Sequence, residues 1–251
     1  DKIACHDKQI RTILNECIGS CFYRSNTLGG GKAFILTGEG ANGKSTFLTM
    51  IQNVLGEENI SSLDLKELDA KFQNAELFGK LANIGDDISD EFIVNASVFK
   101  KLVTGNRIQV QRKGERPFEF NNHAKMLFSA NNIPRIKDKT GAVLRRLLIV
   151  PFDARFSADD PDYDSAITYK LQAQEVMEYL IQLGLKSLKE VIKRQAFTES
   201  EKVKVEVAEY EEMNNPVKAF LNQCEENGIQ ILNESVGVVF EKYSAFCTVN
   251  G

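Results

Sequence analysis

The chain has 251 residues, enough for one sizeable α/β core and a smaller appendage. A composition of 43% hydrophobic and 26% charged residues excludes a disordered or fibrous protein, and the longest apolar runs, such as Leu147-Leu148-Ile149-Val150, are too short to span a bilayer. The net charge of −4, taken alone, argues against a nucleic-acid binder, but its distribution does not. Residues 107–116 hold Arg107, Arg112, Lys113 and Arg116 against Glu115, and residues 125–146 hold Lys125, Arg135, Lys137, Lys139, Arg145 and Arg146 against Asp138. A basic middle in an acidic chain points to a localised anion-binding surface.

No N-terminal stretch combines the basic, apolar and small-residue regions of a secretion signal. Five scattered cysteines (Cys5, Cys17, Cys21, Cys224, Cys247) suit a reducing compartment, so a cytoplasmic location is expected. Cys17 and Cys21, four apart with His6 not far away, make zinc conceivable, but there is no second close pair, and buried reduced thiols fit better. The chain starts at Asp1 without a Met and stops at Gly251 inside a helical pattern, so it reads as a fragment of something longer.

In chain order, Ile10, Ile13, Leu14, Cys17, Ile18 and Cys21 give residues 8–23 a helical period, followed by a Gly-rich turn at Leu28–Gly31. Ala33–Thr37 is a short apolar run bounded by glycines, a buried strand. Phe47, Leu48, Ile51 and Val54 then predict a helix over Thr46–Val54. Further strands are expected at 81–85, 125–130 and 147–151, and strands alternating with helices imply a parallel sheet covered on both faces. Ile108, Val110, Phe118 and Phe120 alternate with polar residues around Lys113-Gly114-Glu115, a hairpin signature. The helical period returns from about 163 to 193, and Asn215-Pro216 caps another helix after the charged run Glu199–Glu212.

Gly38-Glu39-Gly40-Ala41-Asn42-Gly43-Lys44-Ser45 matches G-x-x-x-x-G-K-[ST] between a predicted strand and a predicted helix, where a P-loop belongs. The glycines let successive N–H groups converge on phosphate oxygens, and the helix N-terminus adds partial positive charge. Lys44 is expected to reach the β- and γ-phosphates of ATP, and Ser45 to ligate Mg²⁺. The strand 81–85 ends in Asp86-Asp87, assigned to the metal shell (Asp86) and to the attacking water (Asp87); the bland alternative is that Asp87 and Ser89 cap a following helix. Asp90 and Glu91 form a competing acidic pair, expected in that helix's first turn. Asn131, at the end of the strand 125–130, suits the γ-phosphate or the water, although turns also favour Asn. Arg145-Arg146 reads either as an arginine finger for a neighbouring subunit or as a solvated, phosphate-binding pair. His6 and His123 are expected to be surface or structural residues.

These motifs in this order, together with Gly79-Lys80-Leu81, the segment Lys100–Asn106, Phe118-Glu119-Phe120, the segment Phe128–Pro134 and the segment Arg145–Phe152, resemble superfamily 3 helicases, in particular the C-terminal half of phage and plasmid primase-helicases and the poxvirus primase-helicase. The resemblance implies an α/β P-loop NTPase core of AAA+ type, with a central parallel sheet flanked by helices, a β-hairpin insertion and helical N- and C-terminal appendages. It divides the chain into a helical lead-in (1–30), the ATPase core (31–155), a helical region (156–213) and the start of a winged-helix-like domain (214–251). It implies ATP contacts from Gly38, Glu39, Gly40, Ala41, Asn42, Gly43, Lys44, Ser45 and Thr46, Asn131 as the sensor, and Arg146, with Arg145 as runner-up, as the trans finger. It further implies a hexameric ring translocating on single-stranded DNA in its pore, usually 3′→5′, in a host cytoplasm, with a primase domain possible upstream and no membrane. Arg112 and Lys113 would grip DNA phosphates from the hairpin, contacts that weaken with salt. Many relatives carry Asp-Glu where this chain has Asp86-Asp87, which shortens the reach of Asp87 towards the water. Outside the helicase class stand a DNA-bound ATPase that loads or remodels a replication complex, and a monomeric P-loop kinase, for which neither acceptor pocket nor lid is visible.

Overall fold

Helix α1 (Lys8–Ser20) starts where the Asp7 side chain accepts from the backbone N–H groups of Gln9 and Ile10, and it buries Ile10, Ile13, Leu14, Cys17 and Ile18. The structure, a computed structural model, describes residues 1–91, 96–136, 138, 141–160 and 163–250, with 249 and 250 as backbone only. Lys137 and Lys139, counted above in the basic middle, and the terminal Gly251 lie outside the described residues. After the Gly-rich turn come strand β1 (Ala33–Thr37), helix α2 (Lys44–Leu55), and strands β2 (Ile60–Ser61) and β3 (Ala82–Gly85). Helix α3 (Ser97–Thr104) leads to the hairpin strands β4 (Arg107–Val110) and β5 (Phe118–Asn121), then to β6 (Lys125–Ala130) and β7 (Leu147–Pro151). Helices α4 (Ile167–Lys170), α5 (Gln174–Arg194), α6 (Glu201–Met213), α7 (Pro216–Glu226) and α8 (Val236–Asn250) complete the chain. No helix among the described residues is long and apolar enough to cross a membrane.

The central sheet is parallel throughout, in the order β2-β3-β6-β1-β7. Ile35 of β1 stands opposite Phe128 of β6 on one side and Ile149 of β7 on the other. All residues of β1, β6 and β7 are buried, which is why these strands are apolar on both faces apart from Thr37, Lys125 and Ser129. One face, carrying Phe34, Leu36, Ile84, Leu127, Leu148 and Val150, joins a core with residues of α1, α2 and α5. The expected parallel α/β core with a separate antiparallel hairpin is what the chain forms. By contact the chain divides into two units, Asp1–Val207 and Ala208–Gly251. In the second, the Asn215 side chain caps α7 and Phe220 packs against Tyr243 and Phe246.

Two buried charges brace the first unit. Glu16, 1% exposed, accepts from Arg194 Nη2 at 2.6 Å, from Thr198 N at 2.7 Å and from Thr198 Oγ1 at 2.6 Å. Lys125, 5% exposed, donates to the carbonyls of Tyr23 and Ser25 at 2.8 Å, to Asn26 Oδ1 at 2.6 Å and to His123 O at 3.1 Å. Burial lowers its pKa to about 8, opposed by Cys21, so it remains a cation at neutral pH. The count that placed Lys125 in an anion-binding surface is therefore corrected: its ammonium is inside the protein and spent on backbone oxygens. Asp90 and Glu91 are likewise not helical; Glu91 pairs with Lys66 at 3.2 Å.

The five cysteines are free thiols, three of them buried. Burial pushes Cys21 up to about 12 and Cys17 well above its usual value, which keeps both protonated. No group of three or more metal-ligating side chains exists among the described residues.

Helices α1 and α5 cross where Gly19 faces Gly184, and a Cβ on Gly19 would lie 2.2 Å from the Gly184 carbonyl oxygen. Alanine in place of a mid-helix glycine ordinarily stabilises by about 0.5–1 kcal/mol. Here the backbone contact outweighs that gain, because the two helices must separate to admit a methyl group. Gly19→Ala is expected to destabilise the chain by about 1–3 kcal/mol, read as a lower urea midpoint at unchanged slope.

Candidate functional site

A parallel sheet presents the carboxyl ends of all its strands along one edge, and β6 lies between β1 and β3 in this sheet. The loop after β1 (Gly38–Gly43), the acids after β3 and the asparagine after β6 therefore meet at one place. Gly43 caps α2 with φ 91°, a left-handed conformation that favours glycine. A Cβ on Gly38 would stand 2.7 Å from the Phe152 carbonyl oxygen and 2.6 Å from Asn42 Nδ2. The loop thus folds tightly enough to aim the N-terminus of the 12-residue α2, the positive end of the helix dipole, at the site.

Lys44, 7% exposed, donates to the Gly38 carbonyl, to Glu39 O at 3.3 Å, to Asn42 Oδ1 at 3.4 Å and to Asn131 Oδ1 at 3.2 Å. Burial lowers its pKa, and the charges of Asp87 and then Asp86 oppose that shift. Ser45 Oγ donates to Asp86 Oδ1 at 3.2 Å. Asp87 is exposed, with a left-handed φ of 51°. For a side chain other than glycine such a backbone costs energy and is held only by its surroundings. Neither Asp87 nor Ser89 caps α3, which begins only at Ser97 after Ala96, so the capping alternative falls; Ser89 bonds Asp64 instead. Lys44, Ser45, Asp86, Asp87 and Asn131 are brought together, and Ala41 and Thr46 sit on the same loop and helix turn.

Sequence reasoning missed Ser129. Its hydroxyl donates to Asp86 Oδ1 and accepts the Asp87 N–H at 2.8 Å, while its carbonyl accepts the Ile88 N–H at 2.9 Å. One β6 residue thereby fixes both acids of β3. The available signal was a single hydroxyl in the otherwise apolar end of β6, two residues before Asn131. Asn42 has a second role as well: it is 4% exposed, its Oδ1 accepts the Lys44 N–H at 3.3 Å, and its Nδ2 is buried without a partner.

Arg145 and Arg146 do not join this cluster. They end a 3-10 turn just before β7, whose Leu147 stands opposite Ala33 and whose Pro151 stands opposite Thr37. The pair is thus at the amino end of the sheet, a five-residue strand or about 16 Å from the P-loop edge, beyond the reach of an arginine side chain. Arg145 is exposed, and its carbonyl accepts from Lys32 Nζ at 2.5 Å. Arg146 is half-buried: it donates to the Ala142 carbonyl, and its Nε is buried without a partner. Burial, and then the charge of Arg145, lower its pKa against the pull of Asp138. On the hairpin, Lys113 is exposed, whereas Arg112 lies over the Phe118 ring at 5.2 Å, with Glu115 at 3.8 Å.

Ser129→Ala removes the hydroxyl that bonds the Asp86 carboxylate and the Asp87 N–H, while leaving the strand intact. The nucleotide hydrolysis expected of a P-loop with these acids should fall about tenfold or more, with the urea midpoint nearly unchanged.

A family described as "Family of unknown function (DUF5906)" matches residues 36–146. The chain is 29% identical over 214 residues to Putative helicase 184R of Invertebrate iridescent virus 6, covering 72% of this chain and 22% of that protein. It is 27% identical over 157 residues to Putative helicase L207/L206 of Acanthamoeba polyphaga mimivirus, covering 60% of this chain and 16% of that one. The chain therefore spans less than a quarter of either viral relative. Among solved structures, the A form apo structure of the NrS-1 C-terminal region superposes with a TM-score of 0.64 at 16% identity, covering 98% of this chain and 60% of the other. A second apo structure of that region gives 0.59, again at 16% identity. The helicase-like resemblance read from the motifs is borne out in these terms: the chain is similar in sequence to viral proteins named as helicases and has the fold of the NrS-1 C-terminal region.

Proposed function

We propose that this chain is the ATP-hydrolysing motor domain of a viral or mobile-element replication helicase of superfamily 3 type, acting on single-stranded DNA. The observation that carries the reading is the convergence of three strand ends on the P-loop, with Lys44 3.2 Å from Asn131 and Ser45 3.2 Å from Asp86. The names of the viral relatives support the helicase-like replication role.

The residues fit Mg²⁺-ATP. Ser45 Oγ and the Asp86 carboxylate are hard oxygen donors of the kind Mg²⁺ takes, and the unpaired Asn42 Nδ2 beside the loop is a buried donor suited to an anion. When bound, Mg²⁺ neutralises the charge that develops on the phosphate oxygens. Lys44 exchanges its loop carbonyls for the β- and γ-phosphates, and the α2 N-terminus holds the phosphate chain. Ser129 keeps Asp86 turned towards Ser45, and Asp87 and Asn131 orient the attacking water. Arg146, or Arg145 beside it, completes the site of an adjacent copy, since neither reaches its own. That requirement is the reason for a ring, in our reading a hexamer, with Arg112 and Lys113 directed to the DNA in its pore.

Hydrolysis measured with and without single-stranded DNA tests the motor. DNA is expected to stimulate turnover severalfold, Lys44→Ala to abolish it, and strand displacement on a forked duplex to follow hydrolysis. DNA-stimulated hydrolysis without displacement would select the loader, and a flat response to DNA would defeat both motor readings. Mixing Lys44→Ala with Arg146→Ala chains is expected to restore part of the activity that each lacks alone, because some interfaces then pair an intact P-loop with an intact arginine. Full activity of Arg146→Ala alone would reject the shared site.

A further inference from the structure

Phe78 lies just before β3, outside the hairpin, and is 49% exposed. Its ring meets Phe118 edge-on at 5.2 Å and Phe120 at 5.4 Å. The Arg112 guanidinium caps the same group, 5.9 Å from the Phe78 ring and 5.2 Å from Phe118. Phe120 is 8% exposed and serves as the hairpin's own core, paired across the strands with Ile108. Phe78 differs. It keeps half its surface in water although three groups pack on it, and the exposed cations Lys113 and Arg116 lie on the turn that borders it.

A partner that covers this surface must have a flat apolar face and carry negative charge around it. An unpaired nucleobase on its phosphodiester strand has both properties, whereas an apolar peptide leaves the cations unmatched. A guanidinium plane and a base stack on aromatic rings in the same way, so Arg112 marks where a base would lie. Its ion pair with Glu115 is long, at 3.8 Å, and half exposed, so turning the guanidinium towards a phosphate costs little.

We propose that Phe78, with Phe118, is a stacking platform for an unpaired base of the strand that the hairpin holds, the Arg112 guanidinium turning from the rings to its phosphate. The proposal rests on the reading of the hairpin as a DNA-binding element, and it adds recognition of the base to contact with the phosphates.

The test compares binding of the whole chain to oligothymidylate and to an abasic strand of equal length, by fluorescence anisotropy. The native chain is expected to prefer oligothymidylate by about tenfold. Phe78→Ala and Phe78→Leu are both expected to lose that preference while binding the abasic strand within about twofold of native and keeping the salt slope. Phe78→Tyr is expected to retain it. Leucine fills the space without an aromatic face, so equal weakening on both strands, or full preference in Phe78→Leu, would make Phe78 only an anchor for the hairpin and overturn the platform. A native chain that binds both strands equally overturns the platform alone. A native chain that binds neither removes the DNA-binding reading of the hairpin, and the platform with it.

Discussion

The parallel pairing of β6 between β1 and β3 is the constraint on which the remaining chemistry depends. Phe34 is held opposite Leu127, and Ile84 is held opposite the same residue from the other side. That register brings the end of β6 level with the start of the P-loop, so Asn131 can accept from Lys44. It also sets Ser129 beside Asp86 and Asp87. A shift of one residue in β6 would turn Ser129 to the opposite face and leave the Asp86 carboxylate and the Asp87 N–H without the hydroxyl that holds them. The buried apolar strands thus do more than stabilise the core, because their alignment fixes the polar groups at the edge.

The sheet is in turn braced by polar groups that an apolar core would not need. Lys125 ties the first residue of β6 to the turn at Tyr23–Asn26, and Asn26 continues the connection to the carbonyls of Leu102, Asn122 and Ala124. Glu16 ties α1 to the segment after α5. Each of these charges is satisfied by several short bonds, the condition under which a buried ion is tolerated. The Gly19–Gly184 crossing lets α1 and α5 approach closely, and Glu16 of α1 bonds Arg194 at the end of α5.

Much of this was legible in the sequence, for identifiable reasons. The P-loop is local: its glycines, Lys44 and Ser45 act within one turn, so spacing alone reveals them. The central strands are mostly apolar runs, and Asp86, Asp87 and Asn131 stand at their ends, where a parallel sheet gathers its polar groups. Other features depend on contacts distant in sequence. Lys125 is charged and reads as surface, and only the fold reveals four oxygens around it. Ser129 looks like an interruption until β3 is set beside it. Arg112 is basic at a hairpin turn, yet its ring partner Phe78 comes from a segment far earlier in the chain. The place of the arginine pair follows from the direction of β7, which a sequence does not state.

That last feature has a mechanical side. From Phe34 to Thr37 the chain runs as a strand paired on both sides, with β7 matched to Ala33–Thr37 residue for residue from Leu147 to Pro151. The P-loop and the two arginines hang from opposite ends of this paired unit. Neither end can slide against the other without breaking ladder hydrogen bonds in the most buried part of the protein. Under the proposed function, a displacement at the P-loop end would reach the arginine end as a tilt of the whole sheet, the way a beam carries a load. In the proposed ring, each chain would act on its neighbour as a lever whose stiffness comes from the packing of the strands.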